Sequence, residues 1–394
     1  MFAVLFSARK AFSHLMILFS LVWLAACQPA SLSGPAGGGP SINPSKPVAV
    51  ALLVPHGAAS PQEQKLARDL EAAARLAAAD LQGVQIDLRV YGTAGNPTQA
   101  QTAARNAVAD GARIIVGPLH AESANAAAVA VADKGVNVLA FSNNPTIAGG
   151  NLFILGQTFN TTANRLAGFA ARQGKKRILA VYSNNLAGQL GRNAIEQAVN
   201  ASGSQFAGSV GYEFSQQGVA SAVPQIRAAA AQSNADAIFM TSNTAGALPL
   251  FSQMLPEAGL SPSNTQYIGL SRWDVPAQTT ALPGVQGGWF AIPDPQRSAA
   301  YKSRFQAASG TPPHVISGLA YDGIAAIGAL AKSGDSDALS RARLTQSAGF
   351  QGVGGVFRFR ADGTNERGLA VATIRDQQVV VLDPAPRGFG GAGF

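Results

Sequence analysis

The 394-residue chain carries 29 Lys and Arg against 21 Asp and Glu, a formal charge of +8, yet only 13% of it is charged and 47% is hydrophobic, which excludes the polar, highly charged composition of a disordered chain. A single cysteine excludes an internal disulfide, a cysteine-based zinc site and a CxxC redox pair. At ~100 to 200 residues per domain, the length predicts two or three domains, each able to bury an ordinary core.

Arg9 and Lys10 precede an apolar run from Ala11 to Ala26, shorter than the ~20 residues that span a bilayer as a helix and shaped like a signal peptide. The run ends Leu24-Ala25-Ala26-Cys27, which resembles the lipobox of bacterial lipoproteins, where the cysteine thiol takes a diacylglycerol. That resemblance implies a signal peptide over 1–26 and a mature chain that begins at a lipidated Cys27. Gln28, a residue other than Asp after the cysteine, implies anchoring at the periplasmic face of the outer membrane, with the inner membrane and the cell surface left open. Residues 28–47 hold five Pro, four Gly and four Ser without apolar periodicity, so 27–47 reads as a flexible tether.

An apolar strand over Val48 to Val54 follows, then Ser60-Pro61-Gln62-Glu63, a capping box with Pro at the first helical position. Leu66, Leu70, Ala73 and Ala77 stand at helical spacing. A strand at Gln85 to Tyr91, a helix opened by Asn96-Pro97, a strand at Ile114 to Val116, a helix near Ala121 to Lys134, and strands at Asn137 to Phe141 and Leu152 to Leu155 continue the series. The alternation then restarts, with helices over Asn160 to Gln173, Ala187 to Asn200, Ala220 to Gln232 and Ala245 to Glu257. Between and after them lie strands at Ile178 to Tyr182, Gln205 to Tyr212, Ala237 to Met240 and Tyr267 to Leu270. Alternating strands and helices predict an α/β fold of two doubly wound, Rossmann-like lobes. Beyond Pro293 come helices over Arg297 to Ala308 and Val315 to Lys332, a short one near Ala338 to Gln346, and strands at Val356 to Phe359, Leu369 to Ile374 and Val379 to Leu382. The stretch 384–394 reads as a flexible tail.

Chemistry is hard to place on this sequence. Gly168 to Lys176 has the wrong spacing for a Walker A loop and lacks its Ser or Thr. The first strand leads into Pro55-His56-Gly57-Ala58-Ala59 rather than GxGxxG, so a dinucleotide has no cradle, and no GxSxG elbow is present. Past the leader the histidines are His56, His120 and His314, none at metal-ligand spacing. The chain is therefore expected to be no enzyme and to need neither cofactor nor metal. What remains is a set of polar loops at the carboxyl ends of the predicted strands, where doubly wound sheets bind ligands. They are Pro55 to Gly57, Gly117 to Ser123, Ser142 to Asn144, Ser183 to Asn185, Thr241 to Asn243 and Ser271 to Asp274. Their Ser, Asn and Asp residues also suit plain helix capping, and Trp273 and Trp289 suit either stacking on a ligand or the core.

Asp110-Gly111-Ala112-Arg113-Ile114-Ile115-Val116-Gly117-Pro118, then Gly135 to Ser142, and later Ala320-Tyr321-Asp322-Gly323, resemble the leucine-binding branch of the type I periplasmic binding proteins over roughly residues 48 to 383. The resemblance implies two lobes joined by three crossovers and a hinge: 48–156 plus 292–350 as lobe 1, and 157–291 plus 351–383 as lobe 2. It also implies a small polar solute, amino-acid-like or an amide, held for an ABC permease by Ser123, Ser142, Asn143, Asn184, Thr241 and Asp274. Three positions depart from the amino-acid binders. Ala121 stands where a hydroxyl is expected, Asn143 replaces a second hydroxyl ahead of Asn144-Pro145, and Leu186 replaces an aromatic.

Ile115 to Leu119, Ala140 to Asn143 and Ala148 to Phe153 are also similar to outer-membrane lipoproteins that activate penicillin-binding proteins, which implies an alternative partner in peptidoglycan synthesis. Arg9 and Lys10 lie in the leader, leaving +6 on the mature chain, and residues 160–230 hold seven Lys and Arg against Glu196 and Glu213. That excess reads either as a surface for an acidic partner, membrane or wall polymer, or as a solvated basic face. Export and the absence of a nucleic-acid reading motif argue against a nucleic-acid partner.

Overall fold

The structure, a computed structural model, describes residues 40–390. The signal peptide, Cys27 and the first part of the tether lie outside these residues, as does 391–394. In β1 (Val48–Val54) all but one side chain is buried, the pattern of a parallel strand covered on both faces. Helix α1 (Pro61–Asp80) starts as its capping box predicts, with Ser60 Oγ accepting the Glu63 N–H, and it buries Leu66, Leu70, Ala73 and Ala77. The series runs on through β2 (Ile86–Gly92), α2 (Pro97–Ala109), β3 (Ile114–Val116), α3 (Ala121–Val131), β4 (Asn137–Ala140) and β5 (Leu152–Ile154). These strands form a five-stranded sheet in the order β2-β1-β3-β4-β5, parallel throughout. The chain direction across the sheet reverses between β1 and β3, the switch point at which such sheets open a crevice.

The second series is α4 (Phe159–Arg172), β6 (Arg177–Ser183), α5 (Leu186–Ala201), β7 (Gln205–Tyr212), α6 (Gln216–Ser233), β8 (Ala237–Met240), α7 (Leu248–Glu257), β9 (Gln266–Gly269) and β10 (Trp289–Ile292). Helix α7 starts three residues later than the sequence suggests, because the Gly246 N–H closes a turn on Asn243 O and Pro249 then sits in the helix's first turn, where its missing N–H costs nothing. Next come α8 (Pro295–Ser309), α9 (Gly318–Ala331), the one-turn α10 (Arg341–Leu344), β11 (Phe350–Gly352), β12 (Gly355–Phe359), β13 (Asn365–Arg367), β14 (Ala370–Arg375) and β15 (Gln378–Asp383). The second sheet has seven strands in the order β15-β14-β10-β9-β8-β6-β7, with β14 and β15 joined antiparallel at one edge.

Three boundaries differ from expectation. Residues 351–368 belong with the first lobe, since Phe350, Phe357 and Phe359 of the three-stranded sheet β11-β12-β13 join Tyr301, Phe305, Ile324 and Ile327 in its core. The chain re-enters the second sheet only at Ala370. The tether docks before residue 47: Ile42 is buried in the first lobe's core and its N–H bonds Ser336 O. At the other end, residues expected as a loose tail are held. Ala385 is buried with the second lobe's core, and the Phe389 ring lies 4.3 Å from the Arg358 guanidinium carbon.

Candidate functional site

The topology fixes where a site can form. The chain leaves lobe 1 at the carboxyl end of β5 and enters α4 of lobe 2 five residues after Ile154; it leaves lobe 2 at the carboxyl end of β10 and enters α8 three residues after Ile292. Both sheets therefore turn the carboxyl ends of their parallel strands toward the same crossovers. That is the end of a doubly wound sheet at which ligands bind.

On the lobe 1 side, Ser123, Ser142 and Asn143 follow the neighbouring strands β3 and β4. Ser123 is fully buried in the first turn of α3, with its Oγ 3.4 Å from Gly95 O. Ser142 is buried too, its Oγ accepting the Asn144 N–H at 3.1 Å, whereas Asn143 is exposed. The loop ahead of them turns at Gly117, whose φ of +91° and whose approach to Leu53 O, 2.1 Å from where a Cβ would stand, admit only glycine.

On the lobe 2 side, Asn184, Thr241 and Asp274 follow β6, β8 and β9, which are adjacent in the sheet. Asn185 caps α5 by accepting the Gly188 N–H, which leaves Asn184 outward, where its Nδ2 donates to Glu213 Oε1 at 2.7 Å. Gly191 lets α5 lie against Thr241 and Leu270, within 2.9 Å of which a Cβ would fall. Thr241 Oγ1 and Ser242 Oγ are buried and have no partner among the described residues. Asp274 is already engaged by Arg272, whose Nε stands 2.9 Å from Oδ1 and whose Nη2 bonds Oδ2. Trp273 is fully buried and stacks on Phe290 at 6.2 Å, and Trp289 packs edge-on against Phe169, so both tryptophans are core residues. Of the seven basic residues in 160–230, Arg165 and Arg172 converge on Asp383, at 3.0 and 2.8 Å, which removes part of the expected basic face.

Sequence reasoning misses several features here. Two histidines at strand ends pair with carboxylates of α1: His56 Nε2 donates to Glu71 at 2.9 Å and His120 lies 3.0 Å from Glu63. Partial burial would raise the Glu71 carboxyl, but the hydrogen bonds and charges of His56 and Arg75 outweigh it and hold the group below its ordinary value. Leu186, the first residue of α5, and Phe214 and Val275, on the loops after β7 and β9, are exposed by 73, 62 and 40%. At the hinge, Arg367 donates to Asp322 Oδ2 at 2.8 Å and to Leu155 O, while the Val353 N–H donates to Asp322 Oδ1 at 2.8 Å. Asp322 stands inside a segment the sequence singles out; Arg367, 45 residues later, carries no local signal. Among the described residues no group of His, Cys, Asp and Glu could hold a metal ion.

Residues 47–378 match the family model described as periplasmic binding protein. No curated protein matches the sequence. Among similar solved structures, a protein assigned to a branched-chain amino acid ABC transporter of Rhodospirillum rubrum is 17% identical with a TM-score of 0.72, over 86% of this chain and 100% of that one. A branched-chain amino acid ABC transporter periplasmic ligand-binding protein of Burkholderia xenovorans is 21% identical with a TM-score of 0.66, over 86 and 96%. An ABC transporter substrate-binding protein of Desulfitobacterium hafniense in complex with leucine is 18% identical with a TM-score of 0.63, over 86 and 100%. At these identities the likeness is one of fold.

Proposed function

Because the chain belongs to the periplasmic binding protein family, we propose that it is the solute receptor of an ABC importer, holding a small polar solute, amino-acid-like or an amide, between its lobes. The observation that carries this reading is the convergence of the parallel strands of both sheets, carboxyl ends first, on one set of crossovers. Solute bound to the loops of both lobes would favour the closed arrangement, a hinge motion driven by the difference in affinity between open and closed states. Asn143, Asn184 and Thr241 are the contacts we assign. Asp274, paired with Arg272, meets the solute as half of an ion pair rather than as a free carboxylate, which suits an amide better than an ammonium. The leucine held by the Desulfitobacterium hafniense protein supports a solute of this size. The diacylglycerol anchor at Cys27 and an outer-membrane location rest on the leader sequence alone.

A thermal-shift screen of the mature protein against amino acids and their amides tests the reading. A solute at 100 times its dissociation constant adds about 2.7 kcal/mol of stability, and the reading fails if no member of the panel raises the melting temperature. A second reading, a lipoprotein regulator that docks on a penicillin-binding protein, is favoured by Leu186, Phe214 and Val275, large apolar side chains exposed on one rim of lobe 2, a feature of interaction surfaces. Replacing Phe214 and Leu186 with Ser would then abolish capture of the synthase, whereas an importer's receptor would capture none.

A further inference from the structure

Beyond β15 the chain crosses from lobe 2 back to lobe 1. Asp383 O and Pro384 O accept from Arg165 Nη2 of α4 at 3.3 and 3.2 Å, and Ala385 is buried in the second lobe's core. Pro386 then lies against the third crossover, between β13 and β14, its O only 3.1 Å from where a Gly368 Cβ would stand. Gly388 is in the open, with nothing within 4 Å of an added Cβ. Four residues after Ala385 the Phe389 ring is seated on lobe 1, its centre 4.3 Å from the Arg358 guanidinium carbon.

The seat suits a ring. Arg358 directs its donors outward in the guanidinium plane, Nε and Nη2 to Glu366 Oε2 at 2.8 and 2.6 Å and Nη1 to Ser347 O at 3.3 Å. Its flat face is left for stacking, and a guanidinium over an aromatic face is an attractive contact. Gly349 completes the notch, since a Cβ there would stand 2.5 Å from Phe389 Cε2. The link to this seat is stiff and short. Pro384 and Pro386 fix their own φ, and Pro386 biases Ala385 toward extended backbone. Four residues reach at most about 14 Å, so the lobes can separate on this side only as far as that link allows while Phe389 stays seated.

We infer that residues 384–389 are a strap across the hinge, a fourth, non-covalent crossing whose Phe389–Arg358 contact restricts the interlobe angle. The strap needs lobes that move about their crossovers, as the receptor reading does, but it acts with no solute present and can fail separately from that reading.

Interlabel distances measured without solute test the strap. Cys27 is replaced by Ser, and spin labels are placed at Lys134→Cys in lobe 1 and Lys175→Cys in lobe 2, with a control pair at Lys134→Cys and Lys302→Cys inside lobe 1. Phe389→Ala raises the share of molecules outside the wild-type band of interlobe distances about two- to fivefold, the effect of losing one cation–π contact. Phe389→Tyr, which keeps the ring, retains the wild-type distribution, and the control distance is the same in all three proteins. Silence of the whole solute panel bears on the receptor reading alone. An interlobe distribution unmoved by Phe389→Ala, one broadened as much by Phe389→Tyr, or a control distance that moves with it would overturn the strap.

Discussion

Arg367 holds the hinge through buried bonds to the Asp322 carboxylate and the Leu155 carbonyl and, through Asp322, a half-buried one to the Val353 amide. Removing one member strands the other charge in the interior, so Asp322→Ala is expected to lose about 3–5 kcal/mol of stability, read as a lowered urea midpoint at unchanged slope. Asp383 is a partly exposed counterpart. Burial raises its carboxyl, yet the hydrogen bonds and charges of Arg165 and Arg172 outweigh burial and hold it below its ordinary value. A carboxyl depressed in the folded state contributes stability above its unfolded value and loses it as the pH falls through the folded one. Asp383→Asn is therefore less stable than the wild type at neutral pH, and the gap narrows as the pH falls through the ordinary carboxylate value, about 4, and on below it; a gap that stays constant on acidification would contradict the pairing. The sequence shows the loops that carry Ser142, Asn143, Asn184 and Thr241. It does not show that Ser123 faces inward or that Arg272 takes Asp274, because those outcomes depend on packing between segments and on which neighbour a charge finds first.

Among the elements, the turn after β3 and the start of α5 are the tightest. Gly117→Ala puts a Cβ against Leu53 O at a left-handed φ, and about 2 kcal/mol or more should be lost from strain before any clash is counted. Trp273, closing the loop after β9, is packed on Phe290 within the core of the second lobe. Trp273→Ala should cost about 3–5 kcal/mol with no direct effect on solute affinity per folded molecule; a stable variant with lost affinity would return Trp273 to the solute site. Elements with a local signature are legible in advance: α1 and α2 from Ser60-Pro61 and Asn96-Pro97, and β1 from its unbroken apolar run. The late start of α7 and the placement of β11 to β13 are not, since Phe357 and Phe359 alternate as any strand might, and only the lobe 1 core says which sheet they join.

At the scale of the whole molecule, the alternation of strands and helices makes both doubly wound sheets legible, whereas the crossovers, at 155–158 and 293–294 in the structure, are implied only by the family resemblance. A cavity between α4 and the β12–β13 turn is not legible, because Thr158, Asn164, Gln197, Asp362 and Arg367, far apart in the chain, line it together. The described residues include no helix long and apolar enough to cross a membrane. The central claim is that solute draws the lobes together. With Cys27 replaced by Ser and spin labels placed at Lys134→Cys in lobe 1 and Lys175→Cys in lobe 2, the interlabel distance can be measured across the amino acid and amide panel. We expect at least one solute to shift the distance saturably toward a single shorter population, with the midpoint at its dissociation constant. A distance distribution unmoved by every member of the panel would contradict the claim.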